Sequence, residues 1–289
     1  MKMFKLVVVF LLLAIFSSAD FAQKLKAEDV LAKHLESIGT AETRNVIKNQ
    51  IAVGDVQVTF IAPKNLPAQG RVGLDSEGAK KNFGMSLNTL DYPLERFSYD
   101  GKKSKVAYVR TGVRSILGNF VLSNSLLLEE SLLGGTLSTS WALSRLADNK
   151  AKLSFDGTKK IDGKEVYVLG YSPKGGGDFD IKLYFDQETF RHVRTEYKRT
   201  ASASIGRTSR SGTGQSIDDS ARQNESRIKI IENFSDFKAE KGLTLPHNYT
   251  LNYSISGQSG TTEIEWKFIL SEFAFNQKLD AKTFDIEPN

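Results

Sequence analysis

The stretch DGKEVYVLGYSPKGGGDFDIKLYFDQETFRHVRTEY, Asp162 to Tyr197, sets three strand-like runs one after another with little but turn chemistry between them. In the first, Val166, Tyr167, Val168, Leu169 and Tyr171 lie between Asp162-Gly163 and Pro173-Lys174-Gly175-Gly176-Gly177, so β-formers are bounded by breakers on both sides. In the next, Phe179, Ile181, Leu183 and Phe185 alternate with Asp180, Lys182, Tyr184 and Asp186, which turns one face apolar and the other toward water. Runs this close together pair as antiparallel neighbours. Their apolar face needs a cover.

The same period of two extends outward in both directions. Upstream it is carried by Val56, Val58 and Phe60, by Val72 and Leu74, by Phe83, Met85 and Leu87, by Phe97 and Tyr99, and by Val106 and Tyr108. Downstream, Ile228 to Phe234 resumes it, His247, Tyr249, Leu251, Tyr253 and Ile255 share one face, and so do Ile264, Trp266, Phe268 and Leu270. Ser98-Tyr99-Asp100-Gly101 and Ser154-Phe155-Asp156-Gly157 both read as hairpin turns. About ten or eleven strands are expected.

Helical spacing is confined to a few places. Val30, Leu31, Leu35 and Ile38 fall on one face of an amphipathic helix over Ala27–Ile38, stopped by Gly39, and a shorter turn follows around Ala41–Lys48. Arg114 to Leu133 breaks the strand rhythm with two short leucine-rich helices parted at Ser123-Asn124-Ser125, and a further helical piece is expected near Trp141–Ala147. Few helices, grouped, beside many strands describe an α+β protein with a strongly curved antiparallel sheet, filled by its own helices or by a ligand.

Lys2 and Lys5 precede an apolar run from Leu6 to Phe16, and Ser17-Ser18-Ala19 follows as a peptidase site, which predicts a signal peptide over 1–19. The run is shorter than the roughly 20 residues a spanning helix needs. A soluble periplasmic protein is therefore expected, as a monomer with a single domain over 20–289. The absence of cysteine excludes disulfides and a lipidated cysteine. The net charge of +5, lowered by two when the leader is removed, is too dilute to argue for nucleic acid. Residues 200–227, rich in Ser, Gly, Thr and Arg, are expected to form a flexible loop between strands.

No catalytic set emerges, and no cofactor or metal is expected. His34, His192 and His247 lack the spacing of a zinc site, and structural roles are expected for them. Asp178/Asp180 and Asp218/Asp219 read as solvated turn residues, no G-x-S-x-G elbow occurs, and Gly175-Gly176-Gly177 is not followed by a phosphate-binding helix. What stands out is apolar surplus, with 18 Phe, 9 Tyr and a leucine-dense insertion. It serves either as ordinary core or as the lining of a pocket for an acyl chain.

Leu132-Leu133-Gly134-Gly135, then Asp162 to Leu169, Leu183-Tyr184-Phe185-Asp186 with Val193-Arg194, Phe234-Ser235-Asp236-Phe237, Gly242 to His247 and finally Asn276 to Phe284 come in a telling order. Together with the leader and first helix, that order resembles the bacterial outer-membrane lipoprotein-sorting proteins of the LolA-like superfamily. The resemblance implies an unclosed half-barrel sheet wrapped over helices, with a concave face that takes acyl chains. It implies a non-enzymatic carrier for a lipid or lipoprotein acyl chain. The alternative is an envelope sensor or scaffold that binds a protein partner through its sheet edge or long loop. The expected cavity and lid residues are Leu117, Phe120, Val121, Leu127 and Leu128 from the insertion, and Tyr249, Leu251, Trp266 and Phe268 from the sheet. This chain is longer than the carriers, and for their lid-closing arginine only Arg110 and Arg114 are candidates, by position.

Overall fold

The computed structural model describes residues 25–201, 226–257 and 260–287. The expected leader over 1–19 lies outside them. Two helices come first, α1 (Ala27–Ile38) and α2 (Ala41–Val46), followed by the strands β1 (Asn49–Ala62), β2 (Ala68–Glu77), β3 (Lys80–Leu87), β4 (Leu94–Tyr99) and β5 (Ser104–Val106). A helical insertion follows, with α3 (Ile116–Ser123), α4 (Leu126–Glu129), a 3-10 turn at Gly135–Leu137 and α5 (Leu146–Asn149). The chain then runs through β6 (Lys152–Ile161), β7 (Lys164–Ser172), β8 (Asp180–Asp186), β9 (His192–Ala201), β10 (Ser226–Glu240), β11 (Leu243–Gly257) and β12 (Gly260–Phe275).

All twelve strands form one sheet in the order β5-β4-β3-β2-β1-β12-β11-β10-β9-β8-β7-β6. Every described neighbour pair is antiparallel. The sheet does not close, because β5 and β6 stand at its two ends. The first five strands run outward from the middle to one edge, and the last seven run inward from the other edge. The insertion must therefore travel from edge to edge, and it does so across the apolar face.

Curvature makes that face concave. Phe83 on β3 and Phe268 on β12 are separated by β2 and β1 along the sheet, yet their rings meet edge to face at 5.6 Å. At the other end α1 touches both β6 and β11, which lie five strands apart. An aromatic series links the two ends. Phe97 stacks on Phe83 at 4.6 Å, Phe268 on Tyr249 at 4.9 Å and Tyr249 on Phe234 at 5.1 Å, and Phe234 meets His192 at 4.8 Å.

Two details depart from the sequence reading. Ser154-Phe155-Asp156-Gly157 is not a hairpin turn: it sits inside β6, where the register against β7 shifts between Phe155 and Thr158, so the Asp-Gly pair forms a β-bulge. A strand interrupted by turn chemistry was thus missed, and the sheet has twelve strands instead of ten or eleven. The ladder between β9 and β10 continues to Ser226 opposite Ala201 and Arg227 opposite Thr200, so both ends of the loop expected over 200–227 are strand. The rest of that loop, 202–225, lies outside the described residues, as do Gln258 and Ser259 of the expected hairpin turn between β11 and β12.

On α1 the buried positions are Ala27, Val30, His34 and Ile38, one every turn, while Leu31 and Leu35 are half-buried flanks. His34 is therefore central to the docked face. Its Nδ1 lies 3.0 Å from Phe190 O, and its Nε2 accepts from Trp141 Nε1 at 3.0 Å. That pair of contacts fixes a neutral ring with the proton on Nδ1. Burial pushes His34 down to about 4.

Candidate functional site

The insertion is held to the concave face by polar contacts placed among apolar ones. Ser115 caps α3 by accepting from Gly118 N at 2.7 Å, and its hydroxyl also donates to Glu95 on β4. Asn124, at the end of α3, accepts from Arg199 on β9 at 2.9 Å. Glu130 accepts from Tyr171 OH on β7 at 2.6 Å. Gly134 N donates to Glu232 on β10 at 2.7 Å, Thr139 N donates to Ser76 Oγ on β2 at 2.9 Å, and Trp141 reaches His34.

Glu232 is the centre of this arrangement. It is fully buried, and besides Gly134 N it accepts from Tyr197 OH and Tyr249 OH, each at 2.7 Å. Burial raises its carboxyl above the usual range against the pull of those donors, and it pushes both tyrosines well above theirs. Glu95 is likewise fully buried, accepts from Tyr92 OH at 2.7 Å, and is raised by burial. Two carboxylates on the concave face and one on the insertion thus pair with tyrosines where the elements meet.

Gly134 and Gly135 let the insertion turn down onto the sheet with φ of +83° and +52°. A Cβ on Gly135 would lie 3.0 Å from His192 Nδ1 and 3.1 Å from Phe234 Cζ. Gly135→Ala is therefore expected to lower stability by about 1–3 kcal/mol through overpacking and backbone strain, read from the midpoint of urea unfolding. An unchanged midpoint would show that the insertion can lift locally without cost.

Beneath the insertion lies a cavity of about 30 Å³, lined mainly by Leu74, Phe83, Phe97, Leu117, Leu128 and Leu251, with Tyr249 at its wall. That volume holds one or two waters, an order of magnitude below the roughly 300–1,000 Å³ of small-molecule pockets. The protein's own leucines fill most of the space between the insertion and the sheet here. Of the residues expected at the site, Leu117, Leu128, Tyr249 and Leu251 line this cavity. Phe120 packs edge-on against Tyr253 at 5.5 Å and Phe179 at 5.9 Å, and Val121 is buried beside it without reaching the cavity. Leu127 lines a separate outer cleft with Phe179 and Ile181. Phe268 supports Tyr249 from below, and Trp266 Nε1 donates to Tyr92 OH at 3.3 Å. Arg114 lies over the Tyr108 ring and Arg110 faces Asp91 at 3.6 Å, so neither lines the cavity.

Sequence reasoning passed over the polar members. Glu232 follows Ile228 and Ile230 on the inward positions of β10, and Lys81 precedes Phe83 and Met85 on those of β3. A charge in an otherwise apolar alternation was the signal that could have found them. Lys81 is 6% exposed, lines the cavity, and its Nζ has no hydrogen-bond partner among the described residues.

No family model matches the chain, and no curated protein matches it. Solved structures do resemble it. A domain from Vibrio parahaemolyticus, described as an outer membrane lipoprotein-sorting protein, is 14% identical with a TM-score of 0.43, covering 88% of this chain and 97% of its own. A LolA superfamily protein from Nitrosomonas europaea is 12% identical with a TM-score of 0.44, covering 90% and 97%. A DUF1329 family protein from Desulfovibrio piger is 10% identical with a TM-score of 0.40, covering 89% and 96%.

Proposed function

We propose that the protein is a non-enzymatic, single-chain periplasmic carrier that shields the acyl chain of a lipid or lipoprotein beneath its helical insertion. The observation that supports this most is the nature of the cover. A curved twelve-stranded sheet presents a continuous apolar face, and what covers it is a run of short helices joined to it by polar contacts at a few points. Lifting that cover exposes Leu117, Phe120, Val121, Leu127 and Leu128, a cost that the buried surface of a guest must offset. An acyl chain entering below it replaces the leucine contacts with equivalent apolar ones: each buried CH₂ contributes about 0.8 kcal/mol, on the order of 10 kcal/mol for a fourteen-carbon chain before opening costs. Release is favoured because the insertion refills the space. In this reading Leu117, Leu128, Tyr249 and Leu251 touch the chain, Phe268 and Trp266 form the floor, and Phe120, Val121 and Leu127 belong to the moving cover.

Among the described residues no helix is long and apolar enough to cross a membrane. The periplasmic assignment draws on the leader-like first residues. Partner binding through a sheet edge has less in its favour: β5 is three residues long, and β6 carries a bulge together with Lys159 and Lys160, features that discourage strand addition.

The test is uptake of a fluorescent fatty-acyl probe by detergent-stripped protein. Wild type is expected to bind, and Phe120→Asp is expected to lose binding while keeping its β circular dichroism, since a charge on a movable cover is hydrated when the cover lifts. Unfolding of that variant would mark Phe120 as fixed core, where an unpaired charge costs several kcal/mol. Absence of uptake by the wild type would overturn the carrier reading.

A further inference from the structure

Between α1, α2 and the insertion lies a second cleft, of about 230 Å³. Its wall carries two guanidinium groups, Arg44 and Arg145, and the side-chain amide of Gln50, with no carboxylate among its lining residues. Gln50 is 2% exposed, and its Nε2 has no hydrogen-bond partner among the described residues. A buried donor is ordinarily satisfied, so an unmet one facing a cleft asks for an acceptor from outside. Arg44 gives its Nε–H to Gly39 O at 3.1 Å, and Arg145 Nε lies 3.4 Å from Asp148 Oδ2. The terminal nitrogens of both make no hydrogen bond among the described residues.

We propose that this cleft is the head-group site for an acidic amphiphile, in which Arg44, Arg145 and Gln50 grip a terminal carboxylate or phosphate while the acyl tail enters the cavity under the insertion. This rests on the carrier reading and narrows it to ligands with an anionic head. Ser138 lines both spaces, so head and tail sites adjoin. The guanidinium forks match planar and tetrahedral oxyanions. Lys81 also lines the tail cavity, where burial and the Arg145 charge push its ammonium well below the ordinary lysine range. Of the nearby carboxylates, Asp148 pairs with Arg145 through Nε alone, Glu232 accepts three hydrogen bonds, and Asp75 accepts from Asn82 at 2.8 Å.

The experiment compares dodecanoic acid, dodecyl phosphate and dodecanol by calorimetry on the wild type and on an Arg44→Gln/Arg145→Gln double variant. The two acids are expected to bind the wild type at least about tenfold more tightly than the alcohol. That preference is expected to vanish in the double variant while alcohol affinity stays unchanged. Equal binding of all three by the wild type overturns the head-group site and leaves the carrier reading standing. A parallel titration of the wild type with inorganic phosphate, followed by the amide resonances of Arg44 and Arg145, separates the two ideas without any variant. Phosphate shifts with no amphiphile binding support an oxyanion site and remove the carrier, whereas no response to any ligand overturns both.

Discussion

Glu232→Ala is expected to lower the free energy of unfolding by about 3–5 kcal/mol, the cost of breaking a buried charged network by removing one member. The carboxylate is the common acceptor for Gly134 N, Tyr197 OH and Tyr249 OH. Alanine leaves all three donors buried, each carrying a desolvation penalty of about 1–3 kcal/mol. It also leaves Lys81, whose Nζ has no hydrogen-bond partner among the described residues, without the Glu232 charge that favours its protonation. Glu232→Gln keeps an acceptor and the side-chain shape, and is expected to cost less than half as much. Equilibrium urea unfolding of the two variants decides it. Equal losses would mean that the charge and not the hydrogen-bond geometry holds Gly134 down, and a loss under about 1 kcal/mol from alanine would mean that water satisfies the donors.

Acidification from pH 7 to pH 4 is expected to cost about 3 kcal/mol through His34. Burial holds its folded-state value near 4 against 6.5 for an ordinary histidine. The unfolded chain therefore binds the extra proton first, and stability that is complete above pH 6.5 is lost as the pH falls toward 4. Structurally, a proton on Nε2 would face the indole N–H of Trp141. His192, also buried and held well below its ordinary value, acts in the same direction. Glu95 and Glu232 act oppositely: their raised folded-state values contribute stability that is present at low pH and lost as the pH rises through them. The contribution of His34 is read as a difference, from unfolding free energies of wild type and His34→Gln at several pH values. The variant is expected to show a flatter decline below pH 6.5, and parallel curves would overturn the assignment.

Alternation made the sheet readable. Phe83, Met85 and Leu87, or Ile264, Trp266 and Phe268, announce strand and face together because the side-chain period of two is a local property. The cover was legible as well, since Leu117, Leu127 and Leu128 break that period. What could not be read locally is where the cover goes. Its path depends on which strands stand at the edges, and that depends on β1 finding β12 some two hundred residues away. The polar centre was hidden for a related reason. Glu95, Tyr171, Glu232 and Trp141 carry no motif in sequence, and only the curvature of the sheet brings their partners within reach. The bulge in β6 misled because Asp-Gly serves a hairpin and a bulge equally well.

The pairing of β1 with β12, with Val58 opposite Trp266, also sets an order in time. As the chain emerges from a ribosome or a translocation pore, β1 to β5 can zip up one after another, but β1 keeps one edge bare until nearly the last residues arrive. The insertion in turn has no bowl to lie in until β7 to β11 have joined. Closing so long a loop before it is rewarded makes assembly slow. Through most of its synthesis the chain is thus a half-sheet with an open apolar side, and it needs company to stay out of aggregates.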